Sequence, residues 1–430
     1  MSKIKKPELL APAGNLEKLK VGLLYGADAF YMGLPTFSMR SRTNNFTKES
    51  VLEGISLIRK ADKKFYITAN IYPRGIKVDA FKKHIEFLRD EIKPDGVIVA
   101  DDGVFDMFRE YAPKLALHMS VQANLLNYRA VNFWKKQGAV RVILPRELML
   151  SEIKEIHENV KDIEIECFVH GAICVAYSGR CLISNYLTGR DANQGICAHS
   201  CRWKYTLHND LSKKNRENMQ EDNLYLEEEK RPKEFMPIEE DENGTYLLNS
   251  KDMCLLPYLQ ELVESGVCSF KIEGRNKTEF YLATVVKAYR KAIDDMMAGR
   301  KFDESLLGEV KKTANRGFIP GFLFGFPGND SIYYKDTAPI EECKFIGIVA
   351  EKADVKNLKG EDLYEVEIRN RVVVGDEVEI VTPTDCFKVK ITSMFDMEGV
   401  EITSAHGGAG NKIIKLKKGI EKWAMIRMVL

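Results

Sequence analysis

Eight short apolar runs, most of them followed by a stretch of helical periodicity, constrain this chain more than any other feature. They are Leu9-Leu10, Ala29 to Met32, Phe65 to Thr68, Val97 to Val99, Leu115 to Leu117, Val140 to Leu144, Ile163 to Phe168 and Ser269 to Ile272. Short apolar runs set off by nearby polar residues, glycine or proline are the pattern of parallel strands buried on both faces. The intervening helices carry their own punctuation. Asn15 is placed to cap a helix over Leu16 to Tyr25 that stops at Gly26, Thr47 to cap one with Val51, Ile55 and Ile58 on a single face, and Ser151 to cap Glu152 to His157. Eight strand-helix units predict an α/β fold of the (β/α)8 barrel type, regular or distorted, over residues 1–335.

A highly charged, apolar-poor segment over about residues 209–243 interrupts this series between the seventh and eighth strands and reads as a solvated insertion. After it, Tyr246 to Leu248 could form a short strand. Ser250 is placed to cap a helix with Leu255, Leu259 and Leu262 on one face, ending at Gly266. The last barrel helix, Thr278 to roughly Met297, is followed by a Gly- and Phe-rich segment from Arg316 to Gly328, expected to wedge into a domain junction in preference to stacking on a base. From Cys343 onward short strands alternate with Gly or Asp turns, which predicts a small antiparallel β-barrel domain over 341–430. Its run Arg371 to Val378 resembles barrel modules of translation factors.

With 45% hydrophobic and 30% charged residues, the 430-residue chain can bury two ordinary cores. The basic start, Met1 to Lys6, runs into Pro7-Glu8 and only a short apolar run, so neither a secretory segment nor a membrane span is expected and the chain reads as cytoplasmic. Its 64 basic residues balance 63 acidic ones, so any contact with nucleic acid must come from a local patch.

Five of the nine cysteines fall between Glu166 and Tyr205, at 167, 174, 181, 197 and 201. Cys167 sits in an alternating strand pattern and reads as a packed hydrophobe. The other four flank the loop Gly189 to Gly195, which can fold back and bring two thiol pairs to one centre. In a cytosolic chain such a cluster points to a shared cation in preference to disulfides. The spacing admits an iron–sulfur cluster, a zinc ion and plain buried cysteines; the wide first pair suits zinc less well than a cluster, whose irons each need only one thiolate. The ends of the barrel strands add polar candidates for catalysis: Asn70, Gln122, His170 and Glu273. A thiol peptidase would need a free Cys174 beside His170, and neither a His-Glu-x-x-His helix nor a Gly-x-Ser-x-Gly elbow is present.

Glu166 to Cys174 (ECFVHGAIC), Gly179 to Ser184 (GRCLIS), Asn193 to Tyr205 (NQGICAHSCRWKY), Asn249 to Asp252 (NSKD) and Lys271 to Arg275 (KIEGR) resemble the motifs of the U32 or collagenase-like peptidases. They are most similar to the branch whose members hydroxylate the wobble uridine of tRNA. The resemblance implies that Cys174, Cys181, Cys197 and Cys201 hold a [4Fe-4S] cluster, with Cys254 in reserve, and that prephenate is a co-substrate. The base would have to leave the anticodon stack and enter a pocket, for which Tyr72, Phe37, Tyr177 and Trp203 are candidate platforms. A small dicarboxylate calls for guanidinium forks; Arg40, Arg42, Arg146 and Arg275 are the candidates, with Arg180 and Arg202 beside the cysteines for substrate. Phosphate contacts are expected from Arg59, Lys60, Lys63, Lys64, Arg190 and Lys204 as well. A homologous partner subunit would be compatible with this branch. Two alternatives stay open at this point, a U32-type peptidase and a zinc-stabilised RNA-binding protein without catalysis.

Overall fold

The computed structural model describes residues 5–39, 46–174, 176–203, 250–325, 339–353, 362–417 and 419–430, the strand segments 205–208, 224–228 and 235–238, and residues 327 and 331. Eight parallel strands close into a barrel: β1 (Glu8–Ala13), β2 (Ala29–Gly33), β3 (Lys64–Ala69), β4 (Gly96–Val99), β5 (Leu117–Met119), β6 (Ala139–Ile143), β7 (Glu164–Ala172) and β8 (Val267–Ile272). β8 pairs in parallel with both β7 and β1, which shuts the ring. All eight apolar runs are strands, the fifth displaced two residues toward the C-terminus.

Helices α1 (Leu16–Leu24), α2 (Lys48–Lys60), α3 (Val78–Phe87), α4 (Asp102–Tyr111), α5 (Tyr128–Gln137) and α6 (Leu150–Asn159) follow β1 to β6 in turn. Asn15 Oδ1 accepts the Lys18 N–H at 2.8 Å and Thr47 caps α2 as expected. Ser151 is not a cap. It lies inside α6, where the Glu152 carboxylate accepts the Met149 N–H at 2.7 Å and fixes the start two residues earlier. Strand alternation divides the barrel residues between two environments. Leu9, Phe30, Phe65, Val97, Val142 and Phe270 face the helices and join the main core, each fully buried side chain contributing about 1.5–3 kcal/mol. Gly22 lets α1 press onto this layer, since a Cβ there would stand 2.6 Å from the Phe30 ring.

Between β7 and β8 the chain carries the cysteine segment with α7 (Ile183–Thr188), the charged insertion, and α8 (Leu259–Glu264). Most of the insertion, the expected strand at 246–248 and Asn249 lie outside the described residues. Ser250 does not start a helix: Asp252–Cys254 is instead a short strand antiparallel to β7, with Cys254 opposite His170. Phe318–Ile319 continues that sheet in parallel, so this part of the Gly- and Phe-rich segment, expected at the domain junction, borders the barrel.

The junction is made elsewhere. After β8 come α9 (Glu279–Met297), capped by Thr278, and α10 (Ser305–Lys311). The residues 343–430 form an eight-stranded antiparallel sheet around a second core, with its outermost strands, 386–390 and 401–402, not paired to each other among the described residues. This domain sits against α1, α9 and α10: Phe345 stacks on Phe280 with centroids 5.2 Å apart, Tyr25 donates to the Val381 carbonyl at 2.8 Å, and Arg427 pairs with Glu309 at 2.9 Å. Among the described residues no helix is long and apolar enough to cross a membrane.

Candidate active site

A cavity of about 500 Å³ opens at the C-terminal end of the barrel strands, within the size range of small-molecule sites. Its floor is built by side chains that point inward from the strands. Lys271 of β8 lies between two rings, its Nζ 4.4 Å from the Tyr31 centroid and 5.4 Å from that of Phe168. The Arg146 guanidinium covers the same Phe168 ring at 3.9 Å.

Below the floor the barrel interior is ionic. Lys271 Nζ is 2.6 Å from Glu166 Oε1, and Glu166 also meets Arg141 at 2.9 Å. Arg141 in turn holds Glu8 at 2.7 Å and Glu164 at 2.6 Å, while Tyr66 donates to Glu8 at 2.6 Å. Burial works to raise the Glu166 carboxyl, but Lys271 and Arg141 outweigh it and hold the group below its ordinary value. His118, within 4.8 Å of the Tyr66 ring, is pushed down to about 3, chiefly by burial and then by Arg141.

The cysteine segment forms the roof. Cys174, Cys181, Cys197 and Cys201 all line the cavity and are all half-buried. Cys201 is pushed up to about 11, first by burial and then by its three neighbouring cysteines, with Arg202 opposing. Local hydrogen bonds shape this roof: the Asn193 carboxamide spans both backbone groups of Cys181, donating at 3.0 Å and accepting at 3.4 Å, and the His199 N–H points at Cys197 Sγ at 3.3 Å. Other bonds tie it to the barrel. Glu147 accepts from the Ser178 N–H at 2.6 Å, the Tyr72 carbonyl from Gln194, and Gln194 Oε1 from Lys77 at 3.0 Å. Among the described residues no three His, Cys, Asp or Glu side chains converge closely enough for a single metal ion.

Several expected site residues meet here. Asn70, Gln122 and Glu273 line the cavity, as do Arg146, Arg202 and Arg275. Arg275 is buried and donates to Ser38 at 2.9 Å, to Thr68 at 3.1 Å and to the Met39 carbonyl, so it also fixes the loop after β2. Arg180 stays on the rim, over the Tyr72 ring, and donates to the Gln122 carbonyl at 2.9 Å. Arg40, Arg42 and Lys204 lie outside the described residues.

Others are elsewhere. His170 does not line the cavity; it projects from β7 toward α9 and packs against Tyr281, Tyr289 and Phe318, with Nδ1 3.3 Å from the Tyr289 hydroxyl. The pairing of His170 with Cys174 that a thiol peptidase would need is therefore not assembled. Cys254 faces the same aromatic group, 3.9 Å from the Tyr289 hydroxyl, and is not a reserve for the roof. Phe37 packs on Phe81 at 4.5 Å. Arg59, Lys60, Lys63 and Lys64 end α2 and begin β3, which puts them at the opposite mouth of the barrel, where Arg59 pairs with Asp95 and Lys63 with Asp28. Lys271 and Phe168 fall inside the motifs but are not among the expected site residues, and Tyr31 lies outside the motifs. The signal was present as a lone charge or ring alternating with fully buried apolar neighbours.

Comparison with known proteins places these features in a series. Residues 14–333 match the description "Peptidase family U32" and residues 341–427 match "Peptidase family U32 C-terminal domain". The "tRNA hydroxylation protein P" of Haemophilus influenzae is 39% identical over 426 residues, covering 94% of this chain and 91% of that one. The "tRNA hydroxylation protein P1" of Bacillus subtilis is 37% identical, covering 98% and 95%. A "Collagenase" of Porphyromonas gingivalis is 28% identical, covering 88% and 87%. A crystal structure of the C-terminal domain of a Geobacillus thermoleovorans U32 protein is 26% identical over 20% of this chain and 98% of that one, with a TM-score of 0.17.

Proposed function

The chain belongs to peptidase family U32, and on that premise we propose that it is a tRNA-modifying enzyme that hydroxylates C5 of the wobble uridine, with prephenate as co-substrate. Relatives named for tRNA hydroxylation match nearly its whole length. The observation that carries the reading is that four cysteines of one segment line a cavity whose other walls include Lys271, Tyr31 and Phe168.

The donor set is compatible with a [4Fe-4S] cluster: four free thiols line one cavity, and a backbone N–H is directed at Cys197. Cys174, Cys181, Cys197 and Cys201 are the residues that would hold such a cluster, which would supply one-electron redox chemistry at the roof. The chain's own residues do the rest. Chemistry at C5 requires the base to be held flat in the cavity and away from bulk water. The Arg146–Phe168 stack offers a planar surface for that purpose. Arg146, Lys271 and Arg275 are the cations a dicarboxylate would meet inside the cavity. Arg190 and Arg202, which flank the roof, are available to RNA phosphates.

Nucleoside analysis of tRNA from a deletion strain tests the reading. Loss of 5-hydroxyuridine derivatives, restored by the wild-type chain and not by Cys174→Ser or Cys197→Ser, is the expected result. Persistence of those nucleosides without a paralogue to supply them would overturn it. Protein purified without oxygen is expected to be brown and to contain iron and acid-labile sulfide; a colourless protein with stoichiometric zinc would remove the cluster. The relative named a collagenase motivates one further assay. Peptide turnover that survives both cysteine replacements would favour a peptidase.

A further inference from the structure

Gln122 carries a buried hydrogen-bonding group that no other group among the described residues uses. The residue is 5% exposed and lines the cavity, yet its Oε1 has no partner among the described residues. A buried acceptor left unpaired costs about 1–3 kcal/mol, a cost sustained where a ligand supplies the donor. Its backbone is held from two sides. The Gln122 carbonyl accepts from the Tyr72 hydroxyl at 2.5 Å and from Arg180 Nε at 2.9 Å, so the side chain is carried on a fixed stem between the loop after β3 and the cysteine roof.

A carboxamide alone cannot tell uracil from cytosine. It can rotate by half a turn and offer either an acceptor and a donor to N3–H and O4, or a donor and an acceptor to N3 and the N4 amino group. Discrimination needs a second group that cannot turn. Asn70, at the end of β3 and lining the same cavity, is such a group: its Oδ1 accepts the Met39 N–H at 3.1 Å, which commits its Nδ2 to the role of donor. An immobile donor and a free carboxamide on the wall of one cavity can complement O4 and N3–H of uracil, whereas the donor opposes the amino group of cytosine.

From this geometry we infer that Asn70 and Gln122 read the hydrogen-bonding edge of the target base and restrict the enzyme to uridine over cytidine. The inference rests on the tRNA reading above and adds the source of its base selectivity. The Arg146–Phe168 stack holds the face of the ring, and the two carboxamides read its edge.

Binding of anticodon stem-loop RNAs that differ only in U or C at the wobble position tests it on the full chain, purified with its metal content intact. Wild type is expected to prefer U on the order of tenfold, the range of one good bidentate contact. Asn70→Asp keeps the acceptor for Met39 and replaces the donor by an acceptor; it is expected to abolish or invert the U/C ratio. Gln122→Leu, close in shape and without hydrogen bonds, is expected to weaken U binding more than C binding and so to lower the U/C ratio. Both variants are checked for wild-type circular dichroism and iron content before binding is read. If wild type prefers U and both folded variants keep its ratio, the edge-reading roles are wrong while the tRNA reading stands. If wild type binds neither RNA, both fall.

Discussion

Lys271 Nζ stands 2.6 Å from Glu166 Oε1, with both side chains almost wholly removed from solvent, and this pair separates the two halves of the barrel interior. Below it Arg141, Glu8, Glu164 and Tyr66 fill the lower barrel with an ionic layer, and above it the cavity begins. The floor of the site is thus a charge that the protein itself neutralises from beneath. Placing an ammonium under two aromatic rings gives the cavity a cation whose position is fixed by β7 and β8 and not by a mobile loop.

Removing that cation leaves Glu166 facing Arg141 alone. Lys271→Met is expected to destabilise the fold by about 3 kcal/mol, the low end for breaking a buried pair, because Arg141 still compensates the carboxylate. The double variant Lys271→Met with Glu166→Gln is expected to recover much of the loss, since no unpaired charge remains. Urea unfolding of the single and double variants reads both. Additive losses would mean that the two groups do not act as a pair.

How much of this was legible follows from what each residue type can signal. The barrel strands were readable because their outward residues, Leu9, Phe65, Val97 and Phe270 among them, must all be apolar to meet helices. The inward positions are not bound by that rule, so Glu166, Arg141 and Lys271 broke the pattern without announcing what they met. The cysteines were found as a cluster because four thiols in one segment are rare, and the fold then placed all four on one cavity. His170 was misread because proximity in sequence says nothing about the side of a strand: it lies on the β7 face opposite the site, against Tyr281 and Tyr289. Arg59 to Lys64 failed for a related reason. A helix end and the next strand's start both lie at the bottom of a βα barrel, whatever their charge.

Three buried histidines set the response to acid. His84 is pushed down to about 4 and His118 and His170 to about 3, in each case chiefly by burial, from an ordinary 6.5. Between these values the unfolded chain binds protons that the folded chain does not, so stability is complete above about pH 6.5 and is lost as the pH falls toward 3. The slope approaches ~1.4 kcal/mol per pH unit for each histidine. Urea midpoints measured from pH 7 to pH 4.5 are expected to fall steadily, and His84→Gln to flatten the curve by roughly a third of that three-histidine slope. A midpoint unchanged across this range would contradict the buried neutral rings.

The two domains are joined by a charge as much as by apolar contact. Arg427, from the last strand, is fully buried and meets Glu379 of its own sheet at 2.7 Å and Glu309 of α10 at 2.9 Å. Lys312 also faces both carboxylates, at 2.8 and 3.4 Å. Arg427→Met is therefore expected to cost about 3 kcal/mol and not more, with the loss concentrated at the junction. Calorimetry is expected to show one cooperative transition in wild type and a second, earlier one in the variant. A single transition shifted as a whole would mean that the apolar contacts around Phe345 and Phe280 suffice to couple the domains.

Gly171 stands where the barrel strand β7 runs toward the roof. It follows His170 in β7 with φ of 108°, a conformation open to glycine and strained for other residues. A Cβ at this position would stand 2.9 Å from the Glu273 carbonyl oxygen, 2.9 Å from the Glu273 Cβ and 3.0 Å from the Tyr281 hydroxyl, which itself donates to that carbonyl. Two of these neighbours are backbone or tied to it and cannot swing away, so the end of β7 must shift. That end leads directly into Cys174, three residues on. Gly171→Ala is expected to lower stability by about 1–3 kcal/mol and, on the cluster proposed above, to reduce the iron bound per chain with the barrel still folded, because the first cysteine of the roof is displaced from the other three. Iron and far-ultraviolet circular dichroism measured on the same preparation separate the two effects. A folded variant with full iron content would show that the roof tolerates movement at its root.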